Sequence, residues 1–341
     1  MKKLPVSVCI PVFNSEEYLM FCLESVARQT YSQYEIVIVN DASTGVDEAG
    51  NSCKKIVKQF HKNHRKIKLN YIEHEKNKGL LEARRTAVYA AKGEYIFVLD
   101  SDDFLCETAL ENLINNSENL SINIVQGRSV FGKFPQDAIS ADFSSFIPCK
   151  INKCSTINIG KINGNLCYEV FVNNKFSKLM WAKLIRRECY LEALDKIPLT
   201  YCNMNEEILQ MFFISLYAKS YNGIDNLVYY YRDNSGMTAS YATLDLHKFE
   251  TLCSSSAVFT IIYLWLEEEK SNLGNYPVND EIVSAIKKLI RQKVYAGLEN
   301  MNSLKEEDKS QGYKILCEIW GEKLVKEIQD RQNQCNSKKY G

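Results

Sequence analysis

The sequence predicts an α/β fold: a mostly parallel sheet flanked by helices, with an appended C-terminal helical region. Three observations carry this. Short apolar runs alternate with helical periodicity through residues 1–110. The second run, 35–39, is apolar throughout after Glu35, as a strand covered on both faces requires. Beyond residue 241 the strand signals stop and helical spacing takes over.

The elements follow in order. Residues 6–12 form a β-branched run closed by Pro11 and Asn14. Residues 16–29 read as a helix, with Leu19, Cys22, Leu23, Val26 and Ala27 near one face. The strand at 35–39 ends in a polar turn, 40–45. A helix at 49–62, a strand at 67–72, a helix at 79–91 and a strand at 95–99 come next. The last of these runs into Asp100-Ser101-Asp102-Asp103. Further on, 105–117 reads as a helix, 122–130 as a strand, 131–165 as loops, 181–187 and 206–218 as helices, and 227–232 as a strand. About three helices fill 242–333, broken near 272–277 and 302, and a tail at 334–341 is expected to fray. Strand–helix alternation implies right-handed crossovers, and ligands then bind beyond the carboxyl ends of the strands. The polar clusters at 11–14, 40–43 and 100–103 all fall at such ends.

Bulk composition narrows the function classes. The 341 residues are 45% hydrophobic and 25% charged, ordinary for a globular protein. Lysine plus arginine equal aspartate plus glutamate at 42 each, so the basic excess of a nucleic-acid binder is missing. The 12 cysteines are scattered, with no C-x-x-C pair and no zinc-finger spacing. They read as reduced thiols serving as small hydrophobes in a cytosolic protein. The basic start is followed only by a short strand, unlike a secretory leader. The longest apolar stretch, 257–266, falls short of the roughly 20 residues a membrane span needs. A cytoplasmic location follows as the expectation, with room for peripheral membrane contact.

The acid cluster at 100–103 is the sharpest chemical signal. Adjacent carboxylates after a buried strand repel one another, and a divalent cation such as Mg2+ or Mn2+ relieves that. An acidic N-cap for the following helix is the competing reading. Asp41 fits either a ribose or base contact or a turn aspartate bonded to its own backbone. Arg84, near the start of a basic helix, reads as a phosphate ligand or as part of a solvated face. Glu206 and Glu207 open an apolar helix, so they serve either its N-terminal dipole or a general base. Trp181 and Tyr229 to Tyr231 read as core aromatics before sugar platforms. Lys183, Arg186 and Arg187 read as a solvated basic face before phosphate ligands.

In this order the clusters resemble the family 2 glycosyltransferases with the GT-A fold. The matching residues are Val8-Cys9-Ile10-Pro11-Val12-Phe13-Asn14-Ser15-Glu16, Val39-Asn40-Asp41-Ala42-Ser43-Thr44, Asn77-x-Gly79 with Ala83-Arg84, and 93–103. The match is looser through Trp181-x-Lys183-Leu184, Glu206-Glu207 and Tyr230-Tyr231-Arg232. The resemblance implies a catalytic domain over 1–240, with a nucleotide-sugar half at about 1–110 and an acceptor half at about 111–240. A helical region at 241–333 follows, of no family we can name.

By residue, the resemblance implies that Pro11, Phe13, Glu16 and Asp41 hold the nucleoside, with Asp41 on the base. Arg84 would lie near the diphosphate or the pocket wall, and Asn14, Asp100 and Ser101 would be further contacts to the nucleotide sugar. Asp100 and Asp102 form a D-x-D pair, Asp102 being the direct ligand of Mn2+ or Mg2+. Glu207 stands where the family carries its catalytic base, usually an aspartate, and Glu206 is the alternative. The expected reaction inverts configuration, moving a sugar from a UDP-linked or similar donor to a hydroxyl of a glycan or glycolipid acceptor. The second loop departs from the family's Asp-Asp-Gly-Ser-Thr-Asp at Asn40, Ala42 and Gly45. A nucleotidyltransferase needs a glycine-rich basic loop after the first strand, and none is present. A non-catalytic nucleotide-sugar binder is a third reading. The C-terminal helices are candidates for homodimer contact, and Lys287, Lys288, Arg291 and Lys293 for an anionic lipid surface, though a solvated face fits better.

Overall fold

The computed structural model describes residues 5–133, 146–148, 155–202, 204–233, 244–269 and 276–340. The chain forms two compact units, Met1–Tyr201 with Gln210–Ala239, and Cys202–Leu209 with Ser240–Gly341.

The first unit begins β1 (Val6–Val12), α1 (Glu16–Ala27), β2 (Tyr34–Asn40), α2 (Cys53–Asn63), β3 (Lys68–Glu73), α3 (Leu80–Ala90), β4 (Tyr95–Val98). It continues through β5 (Phe104–Leu105), α4 (Ala109–Asn115), β6 (Ile124–Lys133), β7 (Ile147–Pro148), β8 (Gly160–Asn163) and α5 (Leu166–Phe171). It closes with β9 (Lys183–Arg186), α6 (Arg187–Lys196), α7 (Glu206–Tyr217) and β10 (Ser220–Arg232), α7 starting in the second unit. Among the described residues the sheet order is β3-β2-β1-β4-β9-β6-β10-β5, with β7 on β6 and β8 on β10.

The strands β3, β2, β1 and β4 are mutually parallel, so the loops that follow them emerge at one edge. Every residue of β1 and β2 is buried, because α1 and α2 cover one face and α3 the other. The α1 stripe of Leu19, Cys22, Leu23 and Val26 enters the same core as Val8, Ile10, Ile36 and Phe97. Antiparallel pairs enter beyond β4, where β9 runs against both β4 and β6.

The stretch expected as a helix at 181–187 divides into β9 and the start of α6. Its apolar residues suit either period over so short a run. Pairing of Arg186 with Tyr95 and of Lys183 with Gln126 makes it a central strand, and tertiary context decides. The strand expected at 227–232 reaches back to Ser220. Parts of the expected loop region, 134–145 and 149–154, lie outside the described residues.

The second unit holds α8 (Leu246–Cys253), α9 (Ser256–Glu268), α10 (Asp280–Met301), a 3-10 turn (Glu306–Asp308), α11 (Lys309–Trp320) and α12 (Glu322–Tyr340). Its core joins Phe249, Cys253, Val294, Leu298, Leu316, Val325 and Ile328. Asp245 caps α8 by accepting from Lys248 N, and Asn279 caps α10 by accepting from Ile282 N. The helical backbone extends to Tyr340, through the stretch expected to fray. Among the described residues one helical run, Leu246–Glu268, is long enough and holds an apolar enough stretch to cross a membrane by length and composition. This corrects the expectation drawn from 257–266 alone. Phe249 and Cys253 of this run are core residues of the folded unit.

Candidate functional site

Two loops are tied together beyond β1 and β2. Asn14 turns at φ 51, and its Oδ1 accepts from Thr44 N at 3.2 Å and Gly45 N at 3.0 Å. Asn14 N donates to Ser43 Oγ at 2.7 Å. Ser43 Oγ in turn donates to Glu16 Oε1 at 2.5 Å, and Ser43 N to Asn40 Oδ1 at 2.8 Å. Glu16 is buried, and its Oε2 has no hydrogen-bond partner among the described residues. A Cβ on Gly45 would lie 2.3 Å from that oxygen, which is why glycine ends this loop. Pro11 is buried within β1 beside Val39, whereas Phe13 is exposed.

Asp41 is a buried hub. Its Oδ1 accepts from His74 Nδ1 at 2.6 Å and Lys78 N at 2.9 Å, and its Oδ2 accepts from Gly79 N at 2.9 Å. The other ring nitrogen of His74 meets Thr86 Oγ1 at 2.9 Å. Gly79, at φ 89, lets the chain turn into α3 with its amide still aimed at Asp41. His74 belongs to no sequence motif. Its signal was position, as the first residue after the third strand on the edge that carries the other clusters.

The acid turn follows β4. Arg84, buried on α3, donates from Nη2 to Asp100 Oδ1 at 2.8 Å. Ser101 Oγ lies 2.6 Å from Ser15 Oγ, joining this turn to the β1 loop. The hydroxyl of Tyr229 donates to Asp103 Oδ2 at 2.7 Å and accepts from Asp100 N at 3.3 Å. Arg232 N donates to Asp103 Oδ1 at 2.8 Å, and Arg232 Nε to the Asp102 carbonyl at 2.9 Å. The Arg232 guanidinium lies over Tyr18 at 4.7 Å. Burial, then the charges of Asp102 and Asp100, push the Asp103 carboxyl well above the usual carboxylate range. Asp103 thus anchors the turn internally and caps no helix, since α4 begins at Ala109.

Asp102 is partly exposed and lies between Asp100 and Asp103 in the turn. Among the described residues, no group of three His, Cys, Asp or Glu side chains is arranged to hold an ion alone. A hard divalent ion that takes one or two carboxylates and completes its shell with phosphate oxygens needs no such group. The oxygen donors of Asp102 and Asp100, in a turn that concentrates negative charge, fit Mn2+ or Mg2+ in that mode.

The remaining candidates separate. Trp181 stacks on Tyr229 with centroids 5.0 Å apart and an interplanar angle of 16°, so both are core beneath the acid turn. Lys183 is fully buried, donating to Ser177 Oγ at 2.7 Å and the Leu179 carbonyl at 2.6 Å, and burial pushes its pKa down to about 7. Arg186 pairs with Glu94 at 3.7 Å. Glu206 and Glu207 open α7 within the second unit, Glu206 buried and Glu207 partly exposed.

The central, mostly parallel sheet flanked by helices is the fold of solved GT-A glycosyltransferases. Staphylococcus aureus TarS in complex with UDP-GlcNAc superposes with a TM-score of 0.52 at 17% identity, covering 97% of this chain and 92% of that one. Residues 7–162 match the family model described as Glycosyl transferase family 2. The chain is 27% identical over 188 residues to glycosyltransferase GlyG of Streptococcus pneumoniae serotype 4, a match covering 55% of this chain and 58% of GlyG. It is 39% identical over 137 residues to poly(ribitol-phosphate) beta-N-acetylglucosaminyltransferase TarP of S. aureus, covering 39% of this chain and 38% of TarP.

Proposed function

We propose that this chain is an inverting glycosyltransferase that moves a sugar from a UDP-linked donor to an acceptor hydroxyl during assembly of a surface polysaccharide or glycolipid. One observation carries the reading. The acid turn after β4 is bonded to the β1 loop through Ser101 and Ser15, within the span that matches the family 2 model. The donor class draws support from the UDP-GlcNAc complex of TarS, and the acceptor class from the name of TarP.

Pro11, Phe13, Asn14, Glu16 and Asp41 hold the nucleoside in this reading, and Asp102 with Asp100 holds Mn2+ or Mg2+. The ion, when bound, neutralises charge on the departing diphosphate. Arg84 restrains Asp100, so the turn keeps its shape while the charge on it changes. Glu207, or Glu206 beside it, takes the proton of the acceptor hydroxyl. That oxygen bonds to the anomeric carbon as the carbon–oxygen bond to diphosphate breaks, and the electron pair leaves with the nucleotide.

The test is UDP release across a panel of UDP-sugars with added Mn2+, repeated for Asp102→Asn. Turnover should fall at least about 100-fold while the melting temperature holds, because removing one charge stabiliser at a reacting centre has that effect. A variant running at full rate would refute the assignment. Product stereochemistry adds an independent reading: an α-linked donor should yield a β-linked glycoside.

A further inference from the structure

Along α10, Asp280, Glu281, Lys287, Lys288, Arg291 and Glu299 are exposed, but Lys293 is drawn inward. Its ammonium donates to Asn205 Oδ1, both residues lying in the second unit. Asn205 directly precedes α7 and turns at φ 60, a left-handed state asparagine tolerates better than most residues. Its carbonyl accepts from Ile208 N at 3.0 Å, so this corner sets the direction in which α7 departs. The Lys293 cation also lies within the field of Glu207. Burial pushes its pKa down, and the Glu207 charge pushes it back up. Among the described residues Glu206 and Cys202 also lie at this turn, the Cys202 thiol being pushed up to about 12 by burial and then by the charges of Glu206 and Glu207. Among the described residues, Lys293 thus sets a cation against an acidic first turn.

We propose that Lys293, from the C-terminal helices, is the positioning residue for the general base: it pins the Asn205 corner and balances the charge of Glu207. The inference rests on the reading of Glu207 as the base. It gives the C-terminal helices a part in catalysis that the span matching the family model, 7–162, does not reach.

The test compares full-length Lys293→Met, Lys293→Arg, Glu207→Gln and the Lys293→Met/Glu207→Gln double variant, using UDP release from UDP-GlcNAc with water as acceptor. Lys293→Met should lower kcat about 10-fold or more, as small misplacements of a reacting group do. Its donor KM and its affinity for UDP should stay within about twofold, a catalytic rather than a binding loss. Lys293→Arg should recover most of the rate, and Lys293→Met should cost nothing more once Glu207 is already Gln. A full-rate Lys293→Met, an equal loss in UDP affinity, or multiplying losses in the double variant overturns the inference. A full-rate Glu207→Gln instead brings down the parent reading, so the two failures are distinct. Hydrogen exchange needs no turnover: the Ile208 amide should exchange faster in Lys293→Met and not in Lys293→Arg, and unchanged exchange in Lys293→Met also overturns the proposal.

Discussion

Ala42 holds φ 56, a state that costs an L-residue bearing a Cβ roughly 1–2 kcal/mol. The family's usual glycine would adopt it freely, so the departure noted in the second loop has a physical cost. Ala42→Gly should raise stability by up to about 1 kcal/mol, the gain being trimmed by glycine's larger unfolded-state entropy. A denaturant midpoint at or below that of the parent chain would count against this. Lys183 offers a pH-dependent counterpart. Burial holds its folded-state pKa near 7, below the ordinary value of 10.5. Its contribution is therefore fully present above pH 10.5, declines as pH falls, and is lost on passing through about 7. Relative to Lys183→Met, the parent chain should gain about 1 kcal/mol per pH unit between pH 7 and 10, read from paired thermal melts. Parallel curves for the two proteins would show that the buried ammonium is not the cause.

At the scale of elements, the parallel strands and their carboxyl-end clusters were legible because each had a clear period and a sharp polar stop. β1, β2 and β4 fall within a residue of the expected bounds. β9 was not legible, since its four residues owe their conformation to β4 and β6 on either side. The acid cluster was legible as chemistry, but its division of labour was not. Only the fold brings Tyr229 and Arg232, more than 120 positions away in sequence, onto Asp103. His74 escaped notice for the same reason, since its partners Asp41 and Thr86 lie on other elements. Removing it tests the hub. His74→Ala leaves Asp41 short of a charge-assisted bond in a buried place, which should cost about 2 kcal/mol. It should also weaken UDP binding by loosening the turn at 76–79. Unchanged stability and unchanged UDP affinity would mean the backbone amides of Lys78 and Gly79 suffice.

For the whole molecule, composition foretold the absence of a basic excess but not how the chain is shared between its units. The segment Cys202–Leu209 clusters with the C-terminal helices, while the rest of α7 belongs with the sheet. A cut after residue 239 therefore strips that segment of its packing partners. Such a truncation should become sensitive to proteolysis near 199–205 and lose transfer, even though every residue that matches the family model is retained. A truncated chain as resistant and as active as the full one would contradict this.

Asp41 also bears on which nucleotide is accepted. A carboxylate offers about four lone-pair seats, and three of Asp41's are taken by His74 and two amides. Among the described residues one seat is left, on Oδ2. On the proposed reading, uracil fills it with its lone imino N–H, whereas guanine presents two neighbouring N–H groups and would strand one of them in a dry pocket. GDP should then be a poor competitor of UDP.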